Sequence, residues 1–374
     1  MNIYIWKLTN DLKLVACFNI AYLLTHTITF SIFSRIIKKG RVNFPRKLGL
    51  VLAILIYLLI YFLKENSITY LIPLGIFMGF ANGLYWISYQ VIRFDLSHKF
   101  NRGNYAGLEN AVSKLSKLVM PVLGGLIITA NFFNWGYANI FLIGTIFFLI
   151  SLLSLNLNVQ VNCSEKLNFK KTVREVLNNK NILKSMVAYS FSGLGRTGSL
   201  VRVLVPLLIF SVVKNEFQLG GWLSFLVLIS ILVSFLFGKK ISYKYYKKFI
   251  IIGAIFFIGA ILFFIKAPDL LINYIIFGIA IMIIDLFISI PKRVISENLV
   301  HEIKNYQEHR IEYFVIREWF SVGFGRIFSY VLLFFFSSLL INQLQYVLLI
   351  MGAAILIESL LLNSIDTKFL KNNS

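Results

Sequence analysis

Long apolar segments, separated by short polar stretches, limit how this chain can fold more than any other feature. Eleven of them approach or exceed the roughly twenty residues that an α-helix needs to cross a bilayer. They are 12–34, 48–64, 70–92, 104–130, 136–157, 183–213, 219–238, 249–267, 270–291, 314–341 and 343–364. Hydrophobic residues make up 58% of the 374 residues, which is more than one water-soluble core can bury. The sequence therefore predicts an all-α integral membrane protein with eleven transmembrane helices.

The formal net charge of +21 would suggest nucleic-acid binding in a soluble protein, but its distribution indicates membrane topology instead. The basic residues gather in alternate loops, namely 35–47, 93–102, 166–184, 239–248, 292–317 and 368–371. By the positive-inside rule these loops are cytoplasmic. In a plasma membrane with eleven spans, the C-terminus then lies on the cytoplasmic side and the N-terminus on the outer side. Anionic lipids are the expected partners of these loops, and nucleic acid is not.

Cysteine and histidine are too sparse for a metal or redox centre. Cys17 and Cys163 lie far apart, and the four histidines show no metal-ligand spacing. We therefore predict no metal, no cofactor and no disulfide framework.

A polar stripe runs along the third apolar segment. Small and polar residues recur there at steps of three and four, so a helix places them on one face. The stripe consists of Gly75, Gly79, Asn82, Trp86 and Gln90, flanked by Tyr85. An amide at the depth of Asn82 must face protein or a wet cavity. Two interpretations stay open: Asn82, Tyr85, Trp86 and Gln90 line a substrate cavity, or the amides bond a neighbouring helix.

The next apolar segment carries three ionisable residues, Glu109, Lys114 and Lys117. A carboxylate and two ammonium groups inside a span need a partner or water. We expect the lysines to line the cavity and Glu109 to serve in proton coupling or in a charge pair. Alternatively, Glu109 and Lys117 reach the cytoplasmic interface as snorkelling side chains.

The second part of the chain adds further intramembrane charges. Arg196 lies in a glycine-rich stretch of a span, where it predicts a counter-charge or an anionic substrate. The candidates for proton coupling or for charge pairs are Asp285, Arg317, Glu318, Arg326 and Glu358. A purely structural salt bridge from Arg317 or Arg326 to an acid on a neighbouring helix is the alternative.

An internal repeat divides the chain into two related bundles. Gly75 and Asn82 match Gly278 and Asp285 at an offset of 203. Repeats of this kind are typical of secondary transporters. The predicted organisation is an N-terminal bundle of five helices over 1–157, a cytoplasmic linker over 158–184 and a C-terminal bundle of six helices over 185–374.

Two local motifs complete this organisation. The loop after the first apolar segment contains Gly40 and Arg41, and the span over 104–130 contains Gly107, Pro121, Gly124 and Gly125. The chain thereby resembles the major facilitator superfamily, particularly its bacterial antiporters, with the first of twelve helices absent. The resemblance implies that these six residues act in gating. The sequence departs from the family's motifs at Phe33 and Ile37 in the loop and at Met120 in the span.

The function implied is secondary active transport of a small organic solute by alternating access, with proton-coupled efflux or antiport. The resemblance implies no catalytic residues and no enzymatic activity. A lipid-handling flippase and a non-transporting receptor or scaffold remain as alternatives.

Overall fold

The computed structural model describes residues 1–97, 102–130, 136–155, 167–195, 203–204, 206–207, 209–210, 215–238, 245–266, 271–337 and 341–366. Within these ranges the regular secondary structure is entirely helical. The helices are α1 (Asn2–Thr9), α2 (Leu12–Lys38), α3 (Asn43–Leu63), α4 (Leu71–Leu96), α5 (Arg102–Ala130), α6 (Gly136–Leu153), α7 (Phe169–Asn178), α8 (Lys180–Gly195), α9 (Glu216–Gly238), α10 (Tyr246–Lys266), α11 (Leu271–Ile284), α12 (Ile290–Leu299), α13 (Tyr306–Glu318), α14 (Ile327–Phe336) and α15 (Ile341–Asn363). Short 3-10 turns cover Lys64–Ile68 and Val300–Glu302.

Seven helical stretches of the described chain are long and apolar enough to cross a membrane. They are Leu12–Lys38, Asn43–Ile68, Leu71–Leu96, Leu108–Ala130, Gly136–Leu153, Tyr246–Lys266 and Tyr306–Phe336. Two shorter apolar stretches, Glu216–Leu232 and Val347–Asn363, coincide with two further predicted spans. The predicted spans 183–213 and 270–291 fall partly outside the described residues. A helical, multi-pass membrane protein is thus confirmed, whereas the count of eleven spans stays a prediction.

The described helices form two compact units. The first unit comprises Met1–His98, Ala130–Asn179 and Val300–Ser337. The second unit comprises Lys99–Thr129, Lys180–Leu299 and Ser338–Ser374. Each unit contains segments from both ends of the chain, and the division into bundles at 1–157 and 185–374 stays a prediction.

Glycines bring α2 and α4 together in the first unit. A Cβ atom at Gly75 would lie 2.9 Å from the Phe18 carbonyl oxygen, and one at Gly83 would lie 2.8 Å from the His26 carbonyl oxygen. Gly79, between them, faces the Tyr22 carbonyl even more closely. Small residues four apart allow such close approach between membrane helices. The glycines of the polar stripe therefore fix how α4 lies against α2.

In the second unit, glycines likewise allow α5 and α9 to pack closely. A Cβ atom at Gly125 would lie 2.6 Å from the Glu216 carbonyl oxygen, and Gly220 faces the Pro121 carbonyl. Because side chains larger than glycine would push the helices apart, these residues set the spacing of α5 and α9. Pro121 and Gly125 of the predicted gating motif therefore lie in a close helix contact.

π-Helical segments join consecutive helices in both units. Asp285–Ser289 joins α11 to α12 in the second unit, and Trp319–Arg326 joins α13 to α14 in the first. Such wide turns occur mostly as insertions within α-helices and are frequent at functional sites. Both segments adjoin candidate site residues.

A short helix, α7, lies within the predicted linker. The Asn168 side chain caps it by accepting a hydrogen bond from the Lys171 backbone N–H at 3.0 Å. Thr172 and Val176 are buried on the side that faces α13. The linker therefore contributes to the packing of the first unit.

Candidate functional site

A cavity of about 560 Å³ lies inside the first unit. Segments from α1, α2, α3, α4 and α6 enclose it. Its lining consists of Met1, Asn2, Phe18, Asn19, Tyr22, Gly49, Leu50, Ala53, Ile56, Tyr57, Met78, Ala81, Asn82, Tyr85, Trp86, Phe147, Phe148 and Ser151. The structure thus places three residues of the predicted substrate cavity, Asn82, Tyr85 and Trp86, around one space.

The lining of the cavity combines aromatic rings with a few amides. Tyr85 and Trp86 meet edge to face, with ring centroids 6.1 Å apart. Asn19 donates hydrogen bonds to the Asn2 side-chain oxygen at 2.9 Å and to the Val15 carbonyl at 2.8 Å. Among the described residues, nothing hydrogen-bonds the Asn82 amide. That amide is therefore available to a molecule in the cavity.

Gln90, on the same stripe, has a different role. It donates from Nε2 to Glu318 Oε2 at 3.2 Å and accepts from Arg317 Nη2 at 2.6 Å. His26 Nε2 lies 3.0 Å from the other carboxylate oxygen, Glu318 Oε1. We call His26, Gln90, Arg317 and Glu318 the Glu318 cluster. It links α2, α4 and α13, so Gln90 bonds a neighbouring helix, as one of the two sequence interpretations expected.

The Glu318 cluster is buried and places a guanidinium and an imidazole beside one carboxylate. His26 is 4% exposed, Arg317 4% and Glu318 8%. Arg326, at the end of the π-helical segment, adds a second guanidinium close enough to act on the carboxylate. The carboxylate therefore has several cationic or donor partners, which is how a buried charge is stabilised.

The cavity and the Glu318 cluster are one helical turn apart on two helices. Tyr22 lines the cavity and precedes His26 by four residues, with ring centroids 6.4 Å apart. Trp86 lines the cavity and precedes Gln90 by four residues. Residues four apart share a helix face about 6 Å from each other. A molecule in the cavity would therefore lie close to the buried charges.

A second ionic group lies at the far end of α2. Lys38 Nζ contacts Glu312 Oε1 and the Glu308 carbonyl, each at 2.5 Å. Arg310 forms a bidentate pair with Asp95, at 2.9 Å and 3.0 Å. These contacts join α2 and α4 to α13.

Gly40 and Arg41, the two predicted gating residues of the loop after α2, form no such ion pair with another described residue. Gly40 has φ 83°, a left-handed conformation suited to glycine, and it lets the chain turn out of α2. Arg41 is exposed. Lys38, two residues before Gly40, is the side chain of this motif that is buried in an ion pair.

The second unit buries an ion pair of its own. Lys292 Nζ lies 3.2 Å from Glu358 Oε1, and Glu358 is fully buried. The ammonium also donates to Ser192 Oγ and lies 4.4 Å from the centre of the Tyr189 ring. We call Lys292, Glu358, Ser192 and Tyr189 the Lys292 cluster. It links α8, α12 and α15, so Glu358 is a charge-pair residue, one of the roles that the sequence predicted.

The ionisable residues of α5 are placed differently from one another. Glu109 pairs with Arg293 of α12, which also contacts Glu297 at 3.4 Å. Lys114 is buried and donates to the Ser230 carbonyl of α9 at 3.2 Å. Lys117 is exposed. The structure does not bring these three residues together around one cavity.

The remaining predicted residues are less fully placed. Asp285 begins the π-helical segment of the second unit, and its side chain lies outside the described part. Arg196 also lies outside the described residues. Gly107 and Gly124 belong to α5. Across the described residues, no group of three or more His, Cys, Asp or Glu side chains could hold a metal ion.

Sequence reasoning missed several charged or titratable partners, among them His26, Lys38 and Lys292. Each lies in or beside an apolar helix, where an ionisable residue is rare and marks either function or pairing. That position was a usable signal for His26, which sits in the middle of α2.

Apolar helices of spanning length, with a cavity and buried ion pairs among them, are the features of a multi-pass membrane protein. Residues 7–299 match the profile of the Major Facilitator Superfamily, and the chain belongs to that superfamily. The uncharacterized protein YqgE of Bacillus subtilis (strain 168) is 25% identical over 332 residues, which is 88% of this chain and 76% of YqgE.

Two solved structures have a similar fold. An outward-facing bacterial homologue of the iron transporter ferroportin has a TM-score of 0.62 at 13% identity, covering 99% of this chain and 94% of that one. The human organic anion transporter MFSD10 (TETRAN) has a TM-score of 0.60 at 13% identity, covering 94% and 83%. At this level of identity the likeness concerns the fold alone.

Proposed function

We propose that this protein is a secondary active transporter that moves a small, partly apolar organic solute by alternating access and exports it in exchange for protons. Membership of the superfamily supports the class of activity. The basic loops support a plasma-membrane topology with a cytoplasmic C-terminus and with anionic lipids bound at those loops.

The observation that carries this proposal is the cavity around Asn82. Its volume of about 560 Å³ suits a small molecule, since ligand pockets span about 300–1,000 Å³. Asn82 lies about 17 Å from the start of α4 at 1.5 Å per residue, close to the middle of that helix. An amide that has no hydrogen-bond partner among the described residues at this depth needs another polar group, water or a solute to satisfy it.

The lining of the cavity favours a particular chemistry for the solute. Seven lining residues carry aromatic side chains, among them Tyr22, Tyr57 and Trp86, and the polar side chains there are amides and hydroxyls. Such a surface binds an aromatic or amphipathic compound better than a bare metal ion, which needs ligands of its own preferred type. Of the cargoes named for the structural neighbours, iron and organic anions, an organic compound fits this cavity.

Dye transport in proteoliposomes tests the proposal. We expect vesicles containing the purified protein to move ethidium, an aromatic cation, or carboxyfluorescein, an aromatic anion, faster than empty vesicles do. In Trp86→Ala, the apparent affinity for the transported dye should fall by up to about tenfold, since an aromatic contact contributes about 0.5–1.5 kcal/mol. Asn82→Leu should weaken it as well.

Trp222→Ala is the matched control, because Trp222 belongs to α9 of the second unit and does not line this cavity. It should retain parental transport. Movement of neither dye, together with transfer of a fluorescent phospholipid between leaflets, would contradict the proposal and favour a lipid flippase.

A further inference from the structure

The most constrained titratable group outside the cavity is the His26 imidazole. Glu318 Oε1 lies 3.0 Å from His26 Nε2, and an ionised carboxylate can only accept a hydrogen bond. Nε2 therefore carries the hydrogen atom. In the neutral ring, Nδ1 then presents a lone pair, and no group of the described chain bonds it.

The surroundings of His26 favour a change of protonation at that nitrogen. Tyr22 and Phe30 flank the ring on α2, with centroids at 6.4 Å and 5.8 Å. The carboxylate of Glu318 would hold an imidazolium in place as an ion pair. Histidine is the side chain whose charge changes most readily near neutral pH.

The other charged groups around the centre oppose that change. Arg317 and Arg326 act on the same carboxylate from α13 and from the π-helical segment. On α4, Gln90 is neutral and Arg93 lies one turn further along the helix. Because the cations compete for one carboxylate, a proton on His26 is held by a balance of opposing charges and can be released.

We propose that His26, oriented by Glu318, is the proton-binding site that couples proton movement to solute transport. The proton binds to the Nδ1 lone pair, which turns the hydrogen bond from the neutral imidazole to the Glu318 carboxylate into an ion pair, and it leaves from the same nitrogen. Since Tyr22 and Trp86 line the cavity one turn from His26 and Gln90, the solute is close enough to sense this change. The inference rests on the proposed transport function and names the group that carries its coupling.

Nitrogen NMR of the protein labelled with ¹⁵N-histidine tests proton binding without any solute. The chain has four histidines, and His26→Gln identifies the His26 signals by their loss. We expect those signals to change from the neutral to the imidazolium form as the pH is lowered. In Glu318→Gln the pH of this change should differ from the parent, while Glu302→Gln, which alters an exposed carboxylate at the Asn179 contact, should behave like the parent. A His26 signal that is constant with pH, or unaffected by Glu318→Gln, overturns the proposal.

Dye flux tests the coupling itself. In the parent, a pH gradient should drive accumulation of ethidium or carboxyfluorescein, whichever the parent transports. In His26→Gln the gradient should no longer drive accumulation, whereas exchange of dye at equal pH on both sides should continue. His301→Gln, which changes a histidine of the 3-10 turn Val300–Glu302, is the matched control and should behave like the parent.

The two assays separate failure of this inference from failure of the proposed function. Accumulation that persists in His26→Gln, or loss of exchange together with accumulation, overturns the assignment of His26. If the parent moves neither dye, the transport proposal fails, and the NMR titration alone then decides whether His26 and Glu318 form a proton-binding centre.

Discussion

The Glu318 cluster and the Lys292 cluster both bury a glutamate inside apolar helices, but they balance its charge in different ways. Glu358 forms an ion pair with Lys292 and is fully buried. Glu318 is shared by His26, Gln90 and two arginines. A pair with equal and opposite charges is complete and holds α12 and α15 together. A cluster with several partners and an open ring nitrogen can change its charge without losing every contact.

The two clusters also differ in what lies beside them. The Glu318 cluster follows the cavity of the first unit by one helical turn on both α2 and α4. None of the four residues of the Lys292 cluster lines that cavity. This difference leads us to assign a structural role to Lys292 and Glu358 and a coupling role to His26 and Glu318.

The largest expected loss of stability comes from breaking the Lys292–Glu358 ion pair. Glu358→Gln leaves the Lys292 ammonium buried without its counter-charge, which should reduce the free energy of unfolding by about 3–5 kcal/mol. Denaturation by SDS in mixed micelles, followed by circular dichroism, would measure the loss.

The double variant Lys292→Met/Glu358→Leu is its control. It removes both charges and keeps the volume of the side chains, so most of the lost stability should return. A double variant as unstable as Glu358→Gln would show that the charges themselves are required in the second unit.

A smaller loss of stability is expected when the Glu318 carboxylate is neutralised. Glu318→Gln removes charge-assisted hydrogen bonds, each contributing about 1.5–3 kcal/mol, but a glutamine can still bond His26 or Gln90. The same SDS denaturation should therefore give a smaller decrease than for Glu358→Gln. An equal or larger decrease in stability would contradict the difference between the two clusters, because Glu318 would then be as important for stability as Glu358.

The contact between α2 and α4 should be sensitive to one added methyl group. Gly83→Ala places a Cβ atom 2.8 Å from the His26 carbonyl and from the Thr29 Cβ, so α2 must move. Overpacking of this kind costs about 1–3 kcal/mol.

Gly259→Ala in α10 is the matched change, because nothing lies within 4 Å of a Cβ atom there. Alanine favours helix over glycine by about 1 kcal/mol, so this variant should be as stable as the parent or more stable. Thermal unfolding of both variants in detergent would separate the two outcomes. Equal melting temperatures would contradict the tight contact in the first unit.

The smallest effect on stability is expected at the Glu109–Arg293 ion pair of the second unit. The side chains of Arg293 and Glu109 remain 22% and 26% exposed. Partly exposed ion pairs contribute about 0–1 kcal/mol, so Glu109→Gln should change stability by less than about 1 kcal/mol. Added salt should reduce the difference further. A loss comparable with that of Glu358→Gln would mean that burial does not govern the ranking of these pairs.

Much of the architecture could be predicted from local sequence, because a membrane span is defined by its own length and hydropathy. The stripe on α4 was also readable, since the period of a helix brings Gly75, Asn82 and Gln90 to one face. The tertiary contacts of each residue in the stripe could not be predicted from this period. Asn82 lines a cavity and Gln90 bonds Glu318, a residue 228 positions later in the chain.

The buried partners depend on tertiary packing rather than on spacing. His26 and Glu318 are 292 positions apart, and no pattern within either segment indicates the other. The rotation of each helix about its axis decides which side chains meet. For Lys38 the loop motif drew attention to Gly40 and Arg41 instead, whereas the buried contact with Glu312 came from a helix in the other half of the sequence.

The wide turn at Trp319–Arg326 has a mechanical consequence. A π-helical segment holds one residue more than an α-helix of the same rise, so its backbone hydrogen bonds can exchange partners and pass the bulge along by one position. Each such step rotates the one residue that the bulge passes by about 100° around the helix axis, while the helix on either side keeps its orientation. Side chains of the segment next to Glu318 can thereby be redirected while both ends of the helix from Tyr306 to Phe336 stay in place.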